Sequence, residues 1–436
     1  MPKFIRSLLH ALVATIAFLI MLGVLFSIAY FYNIYTPPAA KQPPLMVISG
    51  ATLIDGTGRP AISNATIVIG SDRILSVQRG ASAPTGAQEF SVGGMVVMPA
   101  LLDTAVYFEV PVGEEVEYLL GQWAWEITRS LPEHRRNLLQ AGVTVVQDLG
   151  SGLDTVLRTR SLLQSGELAG PTLLTGGPIL TAPGVSPCTE RYPRRLDEST
   201  RPAQTPAEGR QWVQALAGRG VNSISVCYTS LGGDFDRLGL ETLTSIIQEA
   251  HNFGLRVAVR TTSLEEARQA TQAGADALVG GVTLTGEQVD GSLLQLMEAQ
   301  GTVYIPTLAA VQAQPGMGPE SLITAQQNAH LVHQAGVVVA AGSGTAGPEM
   351  AYGRSLQREL ELLVAAGLTP AEALRSATLD AATLLGMEAD RGTVEEGKLA
   401  DLLILAGNPL DDLAVLKRVQ VVVQNGVVVI NALDEP

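Results

Sequence analysis

Cysteine is nearly absent from this chain, with only Cys188 and Cys227 among 436 residues. Two thiols exclude a disulfide-dense scaffold, in which several bridges make up for a small core. Aromatic residues are scarce at 5%, and 28 Lys and Arg are outnumbered by 42 Asp and Glu. The resulting net charge of −14 excludes a basic phosphate-binding footprint, so nucleic acid is not expected as a partner. Histidine is equally rare: His10, His134, His251, His330 and His333 are the whole supply. What abounds is glycine and small aliphatic residues, a composition that suits layered α/β structure.

The first 36 residues stand apart. Lys3 and Arg6 precede an apolar run from Ala11 to Ala29, followed by Tyr30, Phe31, Tyr32 and Tyr35. About 20 apolar residues suffice to cross a bilayer, and aromatic residues suit the headgroup belt, so residues 1–36 read as a single-pass anchor. The competing reading is a cleaved signal peptide ending near Ser27-Ile28-Ala29. With Lys3 and Arg6 held in the cytoplasm, the remainder is expected to be exported, into the periplasm if the cell is Gram-negative. Residues 37–44 carry four prolines and read as a stiff linker. An anchor of this kind would place the chain beside a membrane-protein partner; homo-oligomerisation stays open.

From Leu45 the pattern changes to short β runs separated by turns, and similar runs return between Leu402 and Ile430, with Asn425-Gly426 as a hairpin turn. The two ends are expected to pair as one β-sandwich domain, residues 45–98 and 393–436. Between them, amphipathic stretches lead into buried strands: Leu131–Ala141 into Val143–Val146, Glu208–Arg219 into Ser223–Val226, Leu240–Phe253 into Arg256–Val259. Repeated αβ joins over residues 99–392, without a Gly-x-Gly-x-x-Gly turn, predict a (β/α)8 TIM-like barrel.

Three stretches carry a resemblance. Ser49 to Gly58 reads SGATLIDGTG, Leu368 to Leu374 reads LTPAEAL, and Gly392 to Leu402 reads GTVEEGKLADL. These resemble the amidohydrolase superfamily, in its imidazolonepropionase-like and prolidase-like branch. The resemblance implies a metal-dependent hydrolase whose ligands stand at the C-terminal ends of the barrel strands. The matching positions here hold other residues. Ala105 and Tyr107 replace the His-x-His pair, and Ser225 replaces the bridging lysine. Arg260 and Gly280 replace two histidines, and Gly344 replaces the aspartate that is also the expected general base. A catalytic metal needs about three protein ligands and an open position, so no metal or other cofactor is expected.

The remaining candidates are modest. His134, His251, His330 and His333 fall in helical stretches, away from the strand ends. Ser343 sits between two glycines without a histidine to activate it. Tyr107, Ser225, Arg260 and Ser343 outline a pocket for an anion or carboxylate; alternatively Arg260 pairs internally with Asp103, Glu109 or Asp148. Cys188 and Cys227, on neighbouring loops, either bridge or stay as buried thiols. The expected function is a non-catalytic binding or scaffold subunit, a pseudoenzyme. The alternatives are a carboxylate sensor at Arg260 and a metal-independent hydrolase of C–N bonds in cyclic amides or peptides.

Overall fold

The computed structural model describes residues 10, 12–25, 45–108, 131–184, 188, 199–233, 235–284, 286–314, 318–345 and 350–433. Five strands open the folded part: β1 (Met46–Leu53), β2 (Ile62–Gly70), β3 (Arg73–Arg79), β4 (Gln88–Ser91) and β5 (Val96–Pro99). Nine follow, interleaved with helices: β6 (Leu101–Val106), β7 (Val143–Asp148), β8 (Thr172–Thr175), β9 (Ile179–Thr181), β10 (Thr200–Pro202), β11 (Ser223–Cys227), β12 (Arg256–Arg260), β13 (Ala277–Val279) and β14 (Val303–Ile305). Three close it: β15 (Leu402–Leu405), β16 (Val419–Gln424) and β17 (Val427–Asn431).

The two chain ends meet. β15 runs antiparallel to β5, Leu402 opposite Pro99 through Leu405 opposite Val96. Together they form one eight-stranded sheet in the order β17-β16-β15-β5-β1-β2-β3, with β4 also on β1. The sequence predicts a sandwich; the hydrogen bonds draw a single continuous sheet. Its inner side packs Ile48, Ile67, Val97, Leu402 and Val421 into a core of their own.

The middle strands are parallel and lie in two sheets, β6-β7-β8 and β10-β9-β11-β12-β13-β14. Isolated parallel bridges join Val106 to Thr345 and Tyr304 to Val339, linking both sheets to the segment 338–345. β7 is buried at all six positions, as expected of a parallel strand covered on both faces. Helices supply the cover. Leu243, Ile246, Ile247 and Ala250 of the helix Leu240–Asn252 point inward at helical spacing. Capping boxes fix two helix starts, Ser263 with Glu266 and Thr369 with Glu372.

The N-terminal expectation needs correction. Among the described residues no helix is long and apolar enough to cross a membrane. Hydropathy measures composition, whereas crossing requires length. The single-pass topology and the export inferred from it therefore fall. The linker expected at 37–44 lies outside the described residues.

Candidate ligand-binding face at the strand ends

Successive side chains on a strand alternate between faces, so the parallel register sorts the interior into layers. Ser225, Ala258, Ala277 and Val303 stand opposite one another across β11, β12, β13 and β14. Two residues on, Cys227, Arg260, Val279 and Ile305 form the next layer. Ala105 and Tyr107 join this interior set with Leu149, Ile179 and Cys188, all buried. The space where the family's ligands would converge is thus packed with apolar side chains.

Two expected pairs meet. The Arg260 guanidinium donates from Nη1 to the Tyr107 hydroxyl at 3.3 Å. Cys188 and Cys227 are bridged, with Cα atoms 6.2 Å apart, and both are buried. The bridge ties Cys188 to the end of β11, in the layer that holds Arg260. Ser225 is buried and its Oγ has no hydrogen-bond partner. Ser343 does not join the pocket as a nucleophile: its Oγ shares a 2.6 Å hydrogen bond with Thr345 Oγ1, and its amide donates to Asp103 Oδ1 at 2.8 Å. Glu109, an alternative partner for Arg260, lies outside the described residues. Asp148 takes its hydrogen bonds from the Phe108 amide and the Ser151 and Thr175 hydroxyls.

Gly280 and Gly344 occupy the other two ligand positions at φ +79° and +62°. This left-handed region disfavours any residue with a Cβ. A Cβ on Gly344 would also stand 2.7 Å from the Cβ of Ala310. The four helical histidines beyond residue 100 have structural company instead. His134 stacks on Tyr352 at 4.0 Å, His251 meets Asp276 at 2.9 Å and His333 meets Glu372 at 3.3 Å. His330 packs beside Gly367. Burial, then the charge of Arg135, lowers the His134 pKa to about 4.

Two buried carboxyls stand out: Asp103, read from the sequence only as an alternative partner for Arg260, and Glu359, which sequence reading missed. Asp103 accepts from the amides of Ser343 and Ala105, while its Oδ2 has no partner; burial raises its pKa to about 6 against those hydrogen bonds. Glu359, in the helix Arg354–Ala365, accepts the Ala309 amide at 2.6 Å and leaves Oε1 unpaired. Burial pushes its pKa up to about 8. The signal was a glutamate set within the stripe Leu356, Leu360 and Leu363.

The donor chemistry does not fit a catalytic metal. The six positions offer two glycines, an alanine, a serine, a tyrosine and an arginine, and the arginine is a permanent cation. Among the described residues no group of three His, Cys, Asp or Glu could hold an ion.

A parallel strand-and-helix body joined to a sheet built from both chain ends defines an amidohydrolase-like α/β fold. The amidohydrolase family model matches residues 130–429, and the chain belongs to that family. It is 25% identical over 423 residues to the ochratoxinase of Aspergillus niger, covering 87% of this chain and 85% of that one. The imidazolonepropionase of Deinococcus radiodurans is 27% identical over 379 residues, 81% of this chain and 88% of the relative. Among solved structures, a Xaa-Pro dipeptidase with methionine bound in its active site superposes with a TM-score of 0.76 at 24% identity, over 88% of this chain and 99% of that one. That likeness shows the fold.

Proposed function

We propose that this chain is a non-catalytic member of the amidohydrolase family, whose strand-end face binds rather than hydrolyses. One observation carries the reading: all six positions that the family uses for metal ligands hold residues without ligand chemistry, two of them glycines in the left-handed region. The same reading takes the two parallel sheets and the segment 338–345 as one (β/α)8 barrel, residues 99–392, beside the sheet domain of 45–98 and 393–436. At the barrel mouth Arg260, hydrogen-bonded to Tyr107, offers a fixed cation for a carboxylate, with Ser225 one layer away. A scaffold role toward another protein fits the same face.

The purified protein tests this. Calorimetric titration with zinc and manganese is expected to show no saturable 1:1 binding, and Xaa-Pro dipeptides are expected to stay intact. A carboxylate ligand of this face would raise Tm in the parent and not in Arg260→Ala. A stoichiometric ion held at the strand ends would overturn the proposal.

The names of the relatives favour a second reading, hydrolysis of C–N bonds in cyclic amides or peptides. Turnover of such substrates that persists with a chelator and disappears in a strand-end variant would establish it.

A further inference from the structure

A groove of about 740 Å³ lies on the flank of the molecule, between the helix Leu131–Gln140, the start of the helix Arg354–Ala365 and the β16-β17 hairpin. Three guanidinium groups reach it from three different elements, Arg136, Arg354 and Arg418. All three are exposed, and among the described residues none makes an ion pair. A fourth cation, Lys417, is already engaged, 2.6 Å from Glu361. Glu133 is the one acidic side chain lining the groove among the described residues. Three unpaired arginines around one depression are unexpected on a chain with net charge −14. Neighbouring like charges raise the local field and draw in an anion. The groove floor includes Val429 and Ile430, so it offers apolar contact as well. Its volume falls within the usual range for small-molecule sites, roughly 300–1,000 Å³.

We propose that this groove is a second binding site, for a small anion bearing at least two carboxylate or phosphate groups on an apolar body. Arg136 and Arg418 hold the charged groups through forked hydrogen bonds, which lysine cannot reproduce. The apolar body lies against Val429 and Ile430. The site is separate from the strand-end face and does not depend on how that face works.

Benzene-1,3,5-tricarboxylate serves as probe, titrated calorimetrically into the full chain at constant ionic strength, with inorganic phosphate and chloride as parallel arms. Saturable 1:1 binding of the tricarboxylate is expected, with chloride giving none. Arg136→Ala and Arg418→Ala are each expected to weaken it by about tenfold, the loss of one charged hydrogen-bonded contact. Arg158→Ala removes the same charge from an exposed position on the helix Leu153–Gln164 and is expected to leave binding unchanged. An equal loss in Arg158→Ala would mean a net-charge effect and overturn the proposal. So would absence of saturation, or loss of binding in Arg260→Ala, which would place the probe at the strand ends. Phosphate binding alone, without the tricarboxylate, overturns the apolar half of the claim.

Discussion

Two buried aspartates show how differently the molecule treats charge in two places. Asp401 sits where the eight-stranded sheet meets the parallel strands, and it is fully matched. It pairs with Arg391, accepts the Asn425 amide at 2.7 Å and takes the Thr144 hydroxyl at 3.2 Å. Asp103 lies at the strand-end face and receives two backbone amides, with one oxygen left over. Glu359 is left with an unpaired oxygen in the same way. The two carboxylates differ in how fully they are partnered, although the Arg391 guanidinium at the junction also buries nitrogens without a hydrogen-bond partner. A buried polar atom without a partner costs about 1–3 kcal/mol, so Asp103 and Glu359 each carry a cost that Asp401 does not.

Breaking the matched aspartate gives the largest expected effect. Asp401→Ala strands the Arg391 guanidinium and is expected to cost about 3–5 kcal/mol in urea denaturation. The double variant Asp401→Leu with Arg391→Met should recover most of that loss, since a buried pair replaced by apolar residues is often neutral. A double variant as unstable as the single one would show that the junction depends on charge itself.

Next comes the covalent tie over the face. Cys188→Ala with Cys227→Ala opens a loop of 39 residues, and a loss of about 2–4 kcal/mol is expected in thermal unfolding. An unchanged Tm would mean that packing alone holds the face closed.

Glu359 tests the uncompensated side through pH. Burial raises its folded pKa from 4.5 to about 8, so between these values the folded chain binds the extra proton. Its contribution is complete below the unfolded value and is lost as pH rises through the folded one. From pH 7 to 8 that loss is about 1 kcal/mol. Glu359→Gln should remove the slope, matching the parent at pH 5 and exceeding it at pH 8 in chemical denaturation. Parallel pH profiles would show that the carboxyl finds a partner when charged. The smallest effect belongs to Arg260→Ala, expected to shift stability by about 0.5 kcal/mol or less because the side chain is only half-buried. A loss of several kcal/mol would make Arg260 a structural residue rather than a ligand contact.

The return of β15 onto β5 was legible because both ends of the chain show short apolar runs and turn residues, with Asn425-Gly426 as the clearest punctuation. The strand-end positions could be read from the frame around Asp103, since period two fixes which residues face inward. Other features depend on tertiary neighbours. The bridge between Cys188 and Cys227 was one of two readings the sequence left open, and only the tertiary approach of the two cysteines decides it. The burial of Glu359 was marked only by its place within the stripe Leu356, Leu360 and Leu363, and its depth depends on the elements packed over that stripe. At the N-terminus an apolar run was read as a spanning helix, whereas among the described residues no helix is long and apolar enough to cross a membrane.

Gly280 and Gly344 have a consequence for this chain. A histidine or aspartate at either position would meet a backbone set for glycine, and at Gly344 it would also meet the Ala310 methyl group. Such a variant would be less stable before any ion could reward it. A metal site here would therefore need a shift of the backbone as well as a change of side chain at both positions.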